Sequence, residues 1–283
     1  MKKLLLILSL GLGASFGGRA AAGSLEVVTN AEPVRVFAGA GRMVPVEFHN
    51  PGAAEFDGDL QINLVQTSAA SAVKVWKSPW KQLRVLPGQT VLESAPVDFP
   101  AVRAETRFVV QWVAGADDAL AGKTEGLVYP TNLLAALKPL AGEDGTGVLD
   151  PENVLKPLLK QLKLRYVDLE EGGLDDFSGK LAIIGPFAAR SQMHDGLAQQ
   201  LRTLAGRGVS IVWLQPPPKR RAEPVPSFYS VPVNTNTVVV VQPELVADLP
   251  GNPQSQLNLV YFCELALQPV TVLNTSDIIT TIP

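Results

Sequence analysis

The stretch "GKLAIIGPFAARSQ", residues 179–192, decides how the second half of the chain is interpreted. Its run Leu181–Ile184 is apolar at every position, which is typical of a strand buried on both faces of a parallel sheet. A Gly-Pro pair then ends the strand in a turn. Many α/β enzymes hold a nucleophile at such a turn. Here the turn reads Gly185-Pro186-Phe187-Ala188-Ala189, so the sequence predicts no nucleophile at its tip.

Segments around this strand alternate between strand and helix patterns from about residue 126 onward. Apolar residues spaced three, four and seven apart predict a helix over 152–162, with Asp150 as its cap. Further helices are predicted over 192–205 and 253–267, and "GVSIVWLQ" and "NTVVVVQ" are predicted to be strands. This order predicts a doubly wound α/β domain of flavodoxin-like type over residues 126–283. The segment 127–141 is either part of that domain or a connector.

The first half of the mature chain has a period of two instead. In "RMVPVEFHN", residues 42–50, apolar side chains recur at Val44, Val46 and Phe48. Turn residues follow at 50–52, 57–59 and 86–90. Short strands at near-regular spacing predict an antiparallel, Ig-like β-sandwich over residues 23–125.

The first 22 residues resemble a cleavable signal peptide. Lys2 and Lys3 precede an apolar core over 4–12, and three alanines at 20–22 form a small-residue cleavage site. The alternative is a membrane anchor, but a spanning helix needs about 20 apolar residues, and glycines and a serine interrupt this run. We therefore expect a periplasmic or secreted protein with no membrane span after cleavage.

Composition excludes several partners and cofactors. The chain has 24 basic and 27 acidic residues, and its one basic run, 219–221, lies in a proline-rich loop, so no nucleic-acid partner is predicted. No glycine-rich nucleotide motif occurs in the mature chain, and we predict no cofactor. Two lone histidines, His49 and His194, cannot supply the three or four ligands of a zinc site, so no metal is predicted. A single cysteine cannot form an internal disulfide.

Four acidic residues are the strongest candidates for a site in the second half. They lie in "DLEEGGLDDFSG", residues 168–179, after a predicted strand, at Glu170, Glu171, Asp175 and Asp176. Open α/β sheets place ligand crevices at the carboxyl ends of their strands. A glycosidase would need two carboxylates roughly 5 to 10 Å apart. The alternative is a solvated turn, and no aromatic sugar platform accompanies the cluster.

Other candidates each have an alternative interpretation. Trp76 and Trp80 could contact a glycan, or could cover the open edge of the sandwich core or a domain interface. His194, beside Asp195, could be a base or a surface residue at a helix start. Cys263 lies among apolar residues of a predicted helix, and we expect a buried structural thiol.

The second half resembles the flavodoxin-like domains of the class I glutamine amidotransferase-like superfamily, through the order "GVLD", helix, "RYVDLEE", "GKLAIIGPF" and "LAGRGVSIVWLQPPP". The first half resembles sandwich modules of secreted glycoside hydrolases, through "VEFHNPGAAEFDGDLQINL" and "VLPGQTVLE". Active members of the superfamily have a cysteine in a G-x-C-x-G turn and a later His-x-Glu pair, and this chain has neither.

The sequence is compatible with two functions. The first is a non-catalytic binding or assembly protein of the bacterial envelope, with a glycan or an envelope protein as its partner. The second is a hydrolase of glycans or another envelope polymer that uses the carboxylates at the strand ends. A hydrolase requires two acids that converge in a pocket, whereas a binding protein requires an exposed apolar or aromatic patch.

Overall fold

A computed structural model describes residues 24–28, 32–115, 119–187, 193, 196–215 and 226–268. The predicted signal segment, His194 and the basic run 219–221 lie outside these residues. The described residues form three β-sheets and five α-helices, and strands account for 46% of them. No described helix is long and apolar enough to cross a membrane.

Two sheets form the first part of the chain. Their strands are β1 Glu26–Val28, β2 Val34–Phe37, β3 Gly39–His49, β4 Phe56–Thr67, β5 Ala72–Val85, β6 Thr90–Phe99, β7 Thr106–Ala114 and β8 Ala119–Tyr129. One sheet has the order β1-β3-β6, and the other has the order β2-β8-β7-β4-β5. The alternation predicted in β3 is confirmed, because Val44, Val46 and Phe48 are at most 2% exposed and face the core between the sheets.

A third sheet of six strands forms the second part. Its strands are β9 Thr146–Leu149, β10 Tyr166–Asp168, β11 Leu181–Ile184, β12 Ser210–Leu214, β13 Phe228–Val233 and β14 Asn236–Val241, in the order β10-β9-β11-β12-β14-β13. The first five strands in this order are parallel, and β13 pairs antiparallel with β14. Residues 181–184 of β11 are fully buried, as their apolar run predicts.

The helices cover both faces of this sheet. They are α1 Leu137–Ala141, α2 Leu155–Gln161, α3 Leu169–Gly172, α4 Leu197–Gly206 and α5 Pro253–Leu267. Helices α1, α2 and α5 pack with alternate strand residues on one face, and α3 and α4 pack on the other. The helix predicted over 253–267 is confirmed, whereas the helix predicted over 152–162 is shorter, since α2 begins at Leu155.

The prediction of an Ig-like antiparallel sandwich joined to a doubly wound α/β domain is wrong. The chain is mostly β, and two of its three sheets are mixed: β2 runs parallel to β8 in the five-stranded sheet, and β13 is an antiparallel edge of the six-stranded sheet. Helices α1, α2 and α3 have only five, seven and four residues. Local periodicity shows which face of a strand is buried, but it does not determine which strand is the neighbour or in which direction that strand runs.

The segment 127–141 is divided between the two parts. Residues 127–129 complete β8, and Leu134 and Leu137 pack into the core beneath α5. The predicted boundary between residues 125 and 126 therefore falls inside β8, whose pairing with β7 continues to Val128.

Candidate functional site

The acidic side chains come closest together at the carboxyl ends of β9 and β10. Asp150 follows β9, and its buried carboxylate accepts hydrogen bonds from the N–H groups of Val154, Leu155 and Lys156 at 3.1, 2.7 and 2.8 Å. Its carboxylate therefore satisfies N–H groups of the first turn of α2, although the residue at the N-cap position is Val154 and not the predicted Asp150.

Lys156 brings two carboxylates together. Its Nζ atom lies 2.7 Å from Oδ2 of Asp168 and 3.3 Å from Oε2 of Glu170. The other oxygen of Glu170 accepts the backbone N–H of Asp150 at 2.8 Å, and Oδ1 of Asp168 accepts the N–H of Glu170 at 3.0 Å. The ammonium is mostly buried, with 12% of the Lys156 side chain exposed. We call Lys156, Asp168 and Glu170 the lysine cluster.

Contacts within the lysine cluster favour the charged forms of Lys156 and Asp168. Burial lowers the pKa of Lys156, but its hydrogen bonds to Asp168 and Glu170 outweigh burial, and the net pKa is raised. Burial raises the pKa of Asp168, but hydrogen bonds from Lys156 and from the N–H of Glu170 outweigh it, and the net pKa is lowered. A glycosidase acid needs the opposite shift, because its carboxyl must carry a proton at the working pH.

The remaining acidic candidates do not converge on this cluster. Glu171 lines the same open groove as Lys156 and Asp168, but its side chain is exposed. Asp175 and Asp176 are exposed in the following turn, where the backbone carbonyl of Asp175 accepts a hydrogen bond from the Arg207 guanidinium. Of the four predicted acids, Glu170 alone forms an ion pair with another charged side chain within the part of the chain that the structure describes. His194 lies outside the described residues.

Trp76 and Trp80 lie on the edge strand β5 and close the open side of the first core. The Nε1 atom of Trp76 donates to the carbonyl of Asp98 on β6 at 2.9 Å. The Trp80 ring lies 5.5 Å from Trp112 and 6.3 Å from Phe48, centroid to centroid. Both rings are half-buried against that core, which is the alternative to glycan contact that the sequence leaves open.

Cys263 is fully buried in α5, as the sequence predicts. Burial is the main cause that raises the pKa of its thiol far above the ordinary value, and the charge of Glu264 adds to it. A nucleophilic cysteine needs a lowered pKa and access to solvent, so this thiol is in the wrong environment for covalent chemistry. Among the described residues, no three His, Cys, Asp or Glu side chains lie together in a way that could hold a metal ion.

Two features of the structure are not predicted by the sequence. Lys156 is one of several lysines in its segment, and no local pattern shows that it reaches Asp168 on the neighbouring strand. Strand β13, "FYSVPV", is not predicted, although Tyr229, Val231 and Val233 recur at every second position as in a strand. The side chains of Phe228, Tyr229 and Val231 are 39 to 41% exposed, and Tyr261 of α5 nearby is 51% exposed.

Comparisons with known proteins assign no family to the chain. No family model and no curated protein matches it. Among solved structures, the alkylpurine DNA glycosylase AlkC of Pseudomonas fluorescens is 10% identical with a TM-score of 0.29, over 38% of this chain and 31% of that one. A β-glucosidase of Listeria innocua in complex with gluconolactone is 15% identical with a TM-score of 0.28, over 38% and 16%.

A third solved structure is the sporulation control protein Spo0M of Bacillus subtilis, 14% identical with a TM-score of 0.29, over 42% of this chain and 56% of that one. The chain spans less than two thirds of the length of each of the three structures. Similarity at this level carries no argument about function.

Proposed function

We propose that this protein is an exported, non-catalytic binding or assembly protein of the bacterial envelope, and that it binds an extended segment of an envelope protein at the outer edge of β13. The observation that carries the proposal is an uncharged edge strand whose backbone and apolar side chains face solvent together. Strand β13 is the last strand of its sheet, and among the described residues none pairs with its outer edge.

Backbone geometry identifies the groups that β13 offers to a partner. The N–H of Gln242 donates to the carbonyl of Ser227 at 2.9 Å. Because hydrogen-bonded pairs alternate along an antiparallel ladder, Tyr229 and Val231 bond to β14, while Phe228, Ser230 and Pro232 direct their backbone groups outward. The outer edge therefore presents the N–H groups of Phe228 and Ser230 and three carbonyls.

Proline limits the length of this edge. Pro232 has no N–H to present at its outward position, and Pro226 just before the strand has none either. Proline at an edge position blocks indefinite edge-to-edge pairing of sheets. What remains is a short segment that suits a short extended peptide, as in strand addition.

Apolar side chains flank the edge on both faces of the sheet. The Phe228 ring packs 5.1 Å from Phe262 and 6.5 Å from Tyr261 on α5, while Tyr229 and Val231 lie on the opposite face. No residue of β13 is charged, which favours an uncharged partner strand with apolar side chains at alternate positions. The charged pair Lys156–Asp168 and the buried Cys263 support a function without acid-base or thiol chemistry.

The test places a photo-crosslinking residue, p-benzoylphenylalanine, at Tyr229 in cells of the native host. A second variant carries it at Leu92, which is 76% exposed on the outer face of the first part. We expect the Tyr229 probe to capture a protein that the Leu92 probe does not capture. Equal yields at both positions, or no product at Tyr229, would overturn the proposal.

The captured protein is then purified, and its affinity for two variants of Ser230 is measured by biolayer interferometry. Ser230→Pro removes the outward N–H, and Ser230→Ala keeps it. A lost hydrogen bond and the unpaired partner carbonyl together predict roughly tenfold weaker binding for Ser230→Pro. Ser230→Ala should stay close to wild type. Equal affinities of the two variants would contradict strand addition.

A further inference from the structure

A cavity of about 510 Å³ lies at the amino ends of β9 and β10, at the opposite edge of the sheet from the lysine cluster. Its size is within the roughly 300 to 1,000 Å³ of small-molecule sites. Leu137, Ala141, Leu159 and Leu164 form an apolar floor, and the first three are at most 6% exposed. Open sheets usually bind ligands at their carboxyl edge. A site at the amino edge is therefore separate from that usual position and from the lysine cluster.

Three cationic side chains line the cavity, and one acidic side chain accompanies them. The cations are Lys138, Lys163 and Arg165, and the acid is Glu143. Within the described part of the chain, none of the three cations forms an ion pair. The cavity therefore carries an excess of positive charge above an apolar floor, which favours an anion that also has an apolar body.

The backbone at Lys163 gives an independent reason to regard this cation as functional. Lys163 follows α2 with a φ of 55°, and the N–H of Leu164 bonds back to the carbonyl of Leu159 at 2.9 Å. Glycine adopts this helix-ending conformation without strain, whereas a residue with a Cβ atom is disfavoured in it. The chain thus keeps a charged side chain at a position where glycine would stabilise the fold.

We infer that this cavity binds a small amphipathic anion, with an acyl chain on the leucine floor and a carboxylate held by Lys138, Lys163 and Arg165. We expect binding to require both the acyl chain and the carboxylate of the ligand. An apolar floor alone, or cations alone, would not distinguish this cavity from an ordinary hollow in a protein surface. It is independent of the partner proposed for β13.

The experiment measures binding to the full mature chain by calorimetry and thermal unfolding in 0.15 M salt. The probes are decanoate, acetate and octyl glucoside, each below its micellar concentration. We expect decanoate to bind and to raise the unfolding temperature, because a ligand of the folded state stabilises it. Acetate lacks the chain and octyl glucoside lacks the charge, so neither should bind measurably. Absence of decanoate binding, or equal binding of either control probe, would overturn the inference.

Two variants test the residues. Lys163→Gly removes the charge and relieves the backbone strain, so we expect a higher unfolding temperature without ligand and at least fivefold weaker decanoate binding. Because stability and affinity change in opposite directions, loss of binding cannot result from misfolding. Arg165→Ala should weaken decanoate binding at least fivefold. Lys160→Ala, which lies on α2 three residues before Lys163, should leave decanoate binding unchanged. Unchanged affinity in Lys163→Gly and Arg165→Ala would refute the site.

Discussion

Lys156 shows how much a single side chain can organise. One ammonium forms ion pairs with both Asp168 and Glu170, and the same two carboxylates accept backbone N–H groups at 2.8 to 3.0 Å. The cluster therefore ties the loop after β9 to the end of β10. Its lowered carboxyl pKa at Asp168 is what a structural ion pair produces, and a general acid would show the reverse shift.

Replacing Lys156 with methionine should lower the free energy of unfolding by about 1 kcal/mol at pH 7, since Glu170 is partly exposed and solvent screens the pair. The pKa of Asp168 is about 3.9 in the unfolded chain and is lower in the folded protein. The stabilisation is therefore present above pH 3.9 and is lost as the pH falls through the pKa of the folded protein. Lys156, with its raised pKa, contributes fully below about pH 10.4 and loses its contribution as the pH rises through the folded value.

Urea unfolding at pH 7 and pH 3 measures this difference, with Lys160→Met as the control on the same helix. The gap between wild type and Lys156→Met should narrow at pH 3. The same gap at both pH values would show that the effect comes from packing of the lysine stem and not from charge.

At the scale of elements, the Gly-Pro turn after β11, at which the sequence predicts no nucleophile, has a structural role. The N–H of Gly185 donates to the carbonyl of Leu149 at 2.7 Å, which continues the pairing of β11 with β9. Its φ is +98°, and a Cβ atom there would lie 2.7 Å from the carbonyl oxygen of Leu214. Only glycine fits between the two neighbouring strands at this point.

Gly185→Ala should therefore destabilise the protein by about 2 kcal/mol or more, because it combines an unfavourable φ with a clash against backbone. Gly172→Ala is the matched control, since a Cβ atom at Gly172 has no neighbour within 4 Å. Chemical denaturation should show little change for the control. A stability of Gly185→Ala equal to that of the control would mean that the β11 turn relaxes without cost.

Among the described residues of the whole molecule, buried side chains form one set between the first two sheets and a second set on the six-stranded sheet, which consists of one cluster on each face. Leu64, which is fully buried, belongs to the first set, and Leu159, which is 2% exposed, belongs to the second. A division into two domains predicts that each set supports its own cooperative unit.

Leu64→Ala and Leu159→Ala should each cost about 2 to 5 kcal/mol, because each leaves a cavity in a packed core. Differential scanning calorimetry should resolve two transitions, with Leu64→Ala lowering one and Leu159→Ala lowering the other. A single transition that both variants lower equally would show that the two parts unfold as one unit.

Local pattern was sufficient for features that depend on neighbouring residues alone. The period of two determined the buried face of β3, the helical period determined α5 over 253–267, and the apolar surroundings of Cys263 determined its burial. These follow from the sequence because a side chain's direction along a strand or helix depends on its own backbone.

Only the tertiary structure decided which elements meet. The parallel pairing of β2 with β8, the contact of Trp80 with Trp112, and the joining of Lys156 to Asp168 link residues that lie far apart in the chain. Non-local contacts depend on strand order and direction, which hydrophobic periodicity does not encode. For the same reason, the sequence identified Glu170 as a candidate but neither Asp168 beside it nor the cation of Lys156 that contacts both carboxylates.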